Sequence, residues 1–281
     1  MKFKITHTTI YTFDSDVFLE PHYLRFRPKQ TPYVSVDCHA LTIVFEPIGH
    51  KQVLDEENNM VDFCWFEGMT NQLTITATTV LETKEYNPFD FLIYPLQFNQ
   101  LPLQYDALQK KLLFGTLEGQ MISQELLDYG NAILKASDFN TIAFLTQLTK
   151  QLHDDFIVEY REVGSPLQPD ETFVIKRGSC RDLSWMQINL LRQFGIAARF
   201  VSGYYYFDMI SPSYELHAWV EVFLPGIGWL GLDPSHGIFT GNTHFAIASS
   251  ATFENTMPVS GGIRGSATSQ LRTQLSIEKF I

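Results

Sequence analysis

The hydrophobic period of this chain changes once, and that change limits what it can fold into. Over residues 1 to about 85, three stretches (4–13, 35–46 and 71–83) carry β-branched and aromatic residues in partial alternation with polar ones. Between them, 27–33 and 55–59 have the Pro, Asn and acidic content of turns. Several short strands with no clear helix predict a small sandwich-like unit. Helical spacing begins only later. It runs over 123–137 and over 140–156, where Leu145, Leu148, Leu152 and Phe156 share one face.

Beyond those two helices, 158–176 is irregular, with Gly164, Pro166 and Pro169. A third helix is expected over 180–194, closed by Gly195 as its cap. Strands are expected over 198–207, 215–224 and 229–233, and the tail beyond Gly237 shows no strong period. The second half is therefore α+β. The implied organisation is a β-rich N-terminal domain over 1–90, a connector over 91–118, a core over 119–240, and a C-terminal segment over 241–281 packed on that core.

Composition narrows the function classes. Hydrophobic residues make up 45% and charged residues 18%, the balance of a folded protein. A net charge of −11 with no basic cluster argues against nucleic acid as partner. No apolar run approaches the roughly 18 residues of a membrane span, so no membrane association is expected. The opening MKFKITHTTIYTF reads as a first strand, not a signal peptide, which makes a cytoplasmic location the expectation. Three scattered cysteines, Cys38, Cys64 and Cys180, provide neither a disulfide framework nor paired metal-ligand spacing.

Each cysteine is then judged by its neighbourhood. Ser179 and Asp182 have the spacing of a helix N-terminal cap, which puts Cys180 at the first helical position. Free backbone N–H groups and the positive end of the helix dipole favour a thiolate there over a thiol. Gly178 would let a substrate or another backbone come close. Cys38 and Cys64 lie in expected strands and read as packing residues.

A thiolate nucleophile needs an imidazole to exchange its proton and a third group to orient that imidazole. His217 lies in an alternating stretch in which Leu216, Ala218, Val220 and Val222 face one side, with His217 and Trp219 on the other. Residues 224–228 form a turn by composition, and a second strand ends at Asp233. The midpoint of positions 217 and 233 falls inside that turn. A hairpin would therefore set His217 and Asp233 opposite or diagonal to each other. Spacing alone leaves open whether Cys180 docks against this hairpin. His236 and His244 follow closely and read as surface or capping histidines.

These residues also carry a resemblance. Gly178–Asp182, 190–204, the HAWVEV run from His217, Gly228-Trp229 and Leu232-Asp233-Pro234 together resemble the core of bacterial transglutaminase-like proteins. The resemblance covers about residues 140–265, and the β-rich start is similar to the N-terminal region that often precedes this core. It implies a papain-like transglutaminase core of α+β type. In it, Cys180 would be the nucleophile, His217 the general base and acid, and Asp233 the orienter. Trp219 and Gly178 would belong to the substrate pocket. Arg181 and Asp182 would fix the helix start, and 204–212 would be a locally distinct insertion shaping access.

The expected activity is attack on an amide bond of a peptide or peptide-like small molecule. A thioester would form and pass to water in preference to an amine. No cofactor and no metal are expected, since neither a calcium-type acidic cluster nor an HExxH set is visible. The alternatives are a non-catalytic binding scaffold of the same fold and a metal-dependent hydrolase.

Overall fold

The computed structural model describes residues 1–161, 164–210 and 212–280. Its first half is organised around one long strand, β1 (Lys2–Leu24). Then come β2 (Val34–Val44), β3 (Gly49–Leu54), β4 (Met60–Trp65) and β5 (Thr70–Thr83), and the strands lie side by side in the order β2-β5-β1-β4-β3. The first half of β1 pairs with β5, from Lys2 opposite Glu82 to Thr12 opposite Gln72. The second half pairs with β4. The register breaks between Thr12 and Val17, where the polar run Asp14-Ser15-Asp16 gives the strand nothing to bury.

The two halves face each other. Leu73, Ile75 and Ala77 of β5 pack against Leu19 and Leu24 of β1 and Cys64 of β4. Alternation in β1 is thus used twice, as a period-2 strand with one covered face requires. β3 was not among the expected strands, and β4 was marked only by the reading of Cys64 as a strand residue. Each is only six residues long, and the acidic turn between them dominates the local pattern.

A stretch with two short helices, α1 (Ala107–Leu112) and α2 (Phe114–Leu117), leads into the second half. The helices α3 (Gln124–Ala136) and α4 (Thr141–Asp155) begin at Ser123 and Asn140, whose side chains accept from Leu126 N and Ala143 N. Such caps satisfy donors that a helix start leaves free. Then come β6 (Ile157–Val158), α5 (Pro169–Ile175), β7 (Arg177–Gly178) and α6 (Cys180–Gln193), with β6 and β7 paired in parallel. The expected irregular stretch 158–176 includes positions 162 and 163, which lie outside the described residues.

A second antiparallel sheet is formed by β8 (Ala198–Phe207), β9 (Ser213–Leu224), β10 (Gly228–Asp233), β11 (Ile238–Phe239) and β12 (His244–Ser250). Its order is β11-β10-β9-β8-β12. Helix α6 is buried along almost its whole length. Leu183, Met186, Ile188, Leu190 and Leu191 join one cluster with Ala218, Val220, Val222 and Leu224 of β9 and with Phe144, Leu145 and Leu148 of α4. Each fully buried side chain of this kind contributes about 1.5–3 kcal/mol. Gly195 follows α6 with φ +70°, the left-handed cap expected there. The 204–212 stretch is not an insertion in the main: Tyr204–Phe207 complete β8 and pair with β9. The remaining positions 208–212 include Ser211, which lies outside the described residues.

The C-terminal segment corrects the sequence expectation. β12 does join the core sheet, but β13 (Val259–Arg264) and β14 (Ser269–Phe280) leave it and pair with β1. β14 runs along the first half of β1, from Phe280 opposite Lys2 to Ser269 opposite Phe13. The physical reason is alternation: Leu271, Leu275 and Ile277 recur at even spacing and turn one face inward. The two sheets then meet through Phe3, Ile5, Leu81 and Ile277 on one side and Tyr204, Tyr206, Phe245 and Ile247 on the other.

Candidate active site

Cys180 is the first residue of α6 and half-buried. Its position is set by Asp182, which is fully buried. Asp182 Oδ2 accepts from the backbone N of Ser179 at 2.7 Å and from its Oγ at 2.6 Å. Oδ1 accepts from Leu167 N at 2.8 Å and from the Arg161 guanidinium at 2.5 Å. One carboxylate therefore caps the helix and anchors the loop before it. Arg181 donates to the carbonyl of Arg161, tightening the same corner. Gly178 has its own local reason, since a Cβ there would meet Asp182 Cβ at 2.8 Å.

His217 and Asp233 come from β9 and β10. Leu232 stands opposite Val220, so Asp233 follows at the level of Trp219 and reaches His217 diagonally. His217 Nε2 lies 2.8 Å from Asp233 Oδ2, and both side chains are fully buried. Burial opposes the charged imidazole. The Asp233 and Cys180 charges and their hydrogen bonding outweigh it, and the His217 pKa is raised well above its ordinary value. Burial likewise opposes the Asp233 carboxylate. Here the His217 charge and hydrogen bonds from three rings win, holding its carboxyl well below the usual range. The other nitrogen of His217, Nδ1, is buried and, Cys180 apart, has no aligned hydrogen-bond partner. Glu215 Oε1 lies 2.8 Å from it, off the bonding direction.

The surroundings of Asp233 exceed what the sequence suggested. His236 and His244, expected at the surface or as caps, both turn onto Asp233 Oδ2, at 2.8 and 3.3 Å. Ser235 donates to Oδ1 from its backbone N at 3.0 Å and its Oγ at 2.6 Å. The Tyr205 ring stacks on His244 at 3.9 Å and contacts His217 and His236. Burial depresses the His244 pKa, against the pull of the Asp233 carboxylate. The missed signal was that one strand-ending aspartate followed closely by two histidines can serve all of them. Glu215 could have been found by period 2, since it shares a face with His217.

These groups open into a cavity of about 520 Å³. Cys180, Glu215, His217, Ser235 and His236 line one part, and Val158, Tyr160 and Leu216 stand at its exposed edge. The opposite wall is the first sheet, through His7, Thr9 and Tyr11 of β1 and Leu271, Thr273 and Leu275 of β14. Trp219 and Gly178, expected in the substrate pocket, are not among the described residues that line this cavity. Trp219 is buried beneath the site, its ring 6.3 Å from that of His217 and packed on His244.

A helix-start cysteine beside a strand histidine, backed by a buried aspartate on the neighbouring strand, is the arrangement of a papain-like cysteine enzyme. Comparison with known proteins agrees. Residues 3–82 match the bacterial transglutaminase-like N-terminal region, and residues 134–234 match the transglutaminase-like superfamily. The segment 134–234 is thus a transglutaminase-like core. It is 23% identical over 280 residues to an uncharacterized protein of Mycobacterium bovis, covering 92% of this chain and 87% of that one. It is 18% identical over 286 residues to an uncharacterized protein of Mycobacterium leprae, covering 99% of each. A crystal structure from Cytophaga hutchinsonii, described as a candidate cysteine protease, shares the fold at 17% identity. Its TM-score is 0.72, over 100% of this chain and 92% of that one.

Proposed function

We propose that this protein is a cysteine-nucleophile hydrolase or acyltransferase acting on amide bonds of peptides or peptide-like small molecules. The observation that carries the reading is His217, held at Nε2 by a buried carboxylate while Cys180 stands beside it in a cavity of substrate size. The Cys180 proton passes to His217, and the sulfur attacks the amide carbonyl. The backbone N–H of Cys180 lies at the helix start, where it is free to stabilise the oxyanion. His217 then returns the proton to the leaving amine, and a thioester remains. Water, activated by the same imidazole, releases the acid. Hydrolysis is favoured over crosslinking because water outnumbers any amine in an open cleft. Free thiols fit a reducing, cytoplasmic setting as part of the same proposal.

The test is a library of fluorogenic peptide amides presented to the parent protein and to Cys180→Ala and His217→Ala. At least one substrate should be cleaved by the parent, with both variants slower by three or more orders of magnitude. A Cys180→Ala variant with parental turnover would sink the proposal.

A further inference from the structure

Glu215, His217 and His236 each place a ligand-type atom within 4.8 Å of the other two, on the cavity wall next to Cys180. Two facts point beyond a crowd of polar groups. His217 Nδ1 is fully buried and, Cys180 apart, has no aligned hydrogen-bond partner. The Glu215 carboxylate lies 2.8 Å from that nitrogen, so a cation entering there would meet both groups. Both imidazoles are also backed by one carboxylate. Asp233 Oδ2 lies 2.8 Å from His217 Nε2 and 2.8 Å from His236 Nδ1, leaving each ring its other nitrogen. A carboxylate behind a ligating histidine fixes the ring and strengthens it as a ligand.

We infer that Glu215, His217 and His236 form a binding site for a zinc-type divalent cation, whose occupation silences Cys180. Two imidazoles and one carboxylate are a zinc ligand set that leaves a fourth position open. All three groups line the cavity. Binding forms a metal–nitrogen bond at His217 Nδ1, and the proton that Cys180 and His217 share leaves to solvent. The imidazole can then neither take nor return a proton for the thiol. The silencing half rests on the proposed thiol chemistry, whereas the binding half does not.

The experiment uses the full chain, stripped with a chelator and titrated with zinc chloride against a chromophoric zinc indicator. Alkylation of Cys180 by iodoacetamide is followed in parallel by peptide mass. One zinc per chain is expected, bound at least about tenfold more weakly by both Glu215→Gln and His236→Asn. Circular dichroism checks that both variants remain folded. Zinc should slow Cys180 alkylation in the parent at least about tenfold, with a smaller effect in the variants. Absence of stoichiometric binding, or binding equal in the parent and both variants, overturns the site. Binding that is lost in the variants but leaves alkylation unchanged overturns the silencing. If Cys180 without zinc reacts no faster than Cys38, the thiol reading fails while the zinc result still stands on its own.

Discussion

Asp233→Asn removes a buried charge and keeps the shape. Asp233 Oδ1 accepts from Ser235 N and Oγ, so the amide oxygen keeps that side and the amide nitrogen turns toward His217. The Nε2–H of His217 then faces a donor where it had a charged acceptor at 2.8 Å. A hydrogen bond to a charged group contributes about 1.5–3 kcal/mol, and one pKa unit corresponds to about 1.4 kcal/mol. His217 should therefore lose about one to two pKa units. On the proposed chemistry the Cys180 proton passes to His217, so iodoacetamide labelling at pH 6 should fall about 10- to 100-fold.

The stability of the fold should follow. His217, raised in the folded state, contributes stability that is complete below its unfolded value and fades as pH rises through the raised one. Asp233, held low, contributes above the ordinary carboxylate value and loses that contribution as pH falls. Both slopes should flatten in the variant. The assay is the mass of the Cys180 peptide after timed alkylation from pH 5 to 9, with urea melts alongside. A labelling profile superimposed on the parent's, in a folded variant, would refute the reasoning.

Two further outcomes concern the frame around the site. Burial pushes the His7 pKa down to about 4, and its ring is held by Tyr204 Oη at 3.0 Å across the two sheets. Stability should decline as pH falls from the ordinary histidine value, by about 3 kcal/mol at pH 4, and urea melts of His7→Gln should lack most of that slope. Arg192 donates to the carbonyls of Glu118, Ala198 and Ala251 from a buried position. Arg192→Met should cost about 2–4 kcal/mol, read as a lower urea midpoint, because it leaves buried acceptors unpaired.

Local pattern made much of the catalytic half legible. α6 starts at Cys180 because a serine and an aspartate at capping distance leave little alternative. The hairpin register placed Asp233 within reach of His217 because a turn fixes pairing on both sides of it. What failed was long-range. Nothing near Leu271 says that its strand will travel back to β1, since the partner edge lies almost a whole chain away. The convergence of His236 and His244 on Asp233 depends on how β10, β11 and β12 bring their ends together, which spacing does not encode. His7 and Thr9 occupy inward positions of an otherwise apolar alternation. That departure was readable in the sequence, and only the second sheet shows what it faces.

The pairing of β14 with β1 gives the protein an order of assembly. A ribosome releases β1 well before β14, so β1 waits through the intervening synthesis with one hydrogen-bonding edge open. Such an edge invites association with other chains and makes closure slow, because the two strands must find each other across a large loop. Leu271, Thr273 and Leu275, which line the cavity, arrive on that later strand. A nascent chain therefore carries its cysteine helix and histidine hairpin before it has a closed cleft to hold a substrate against them.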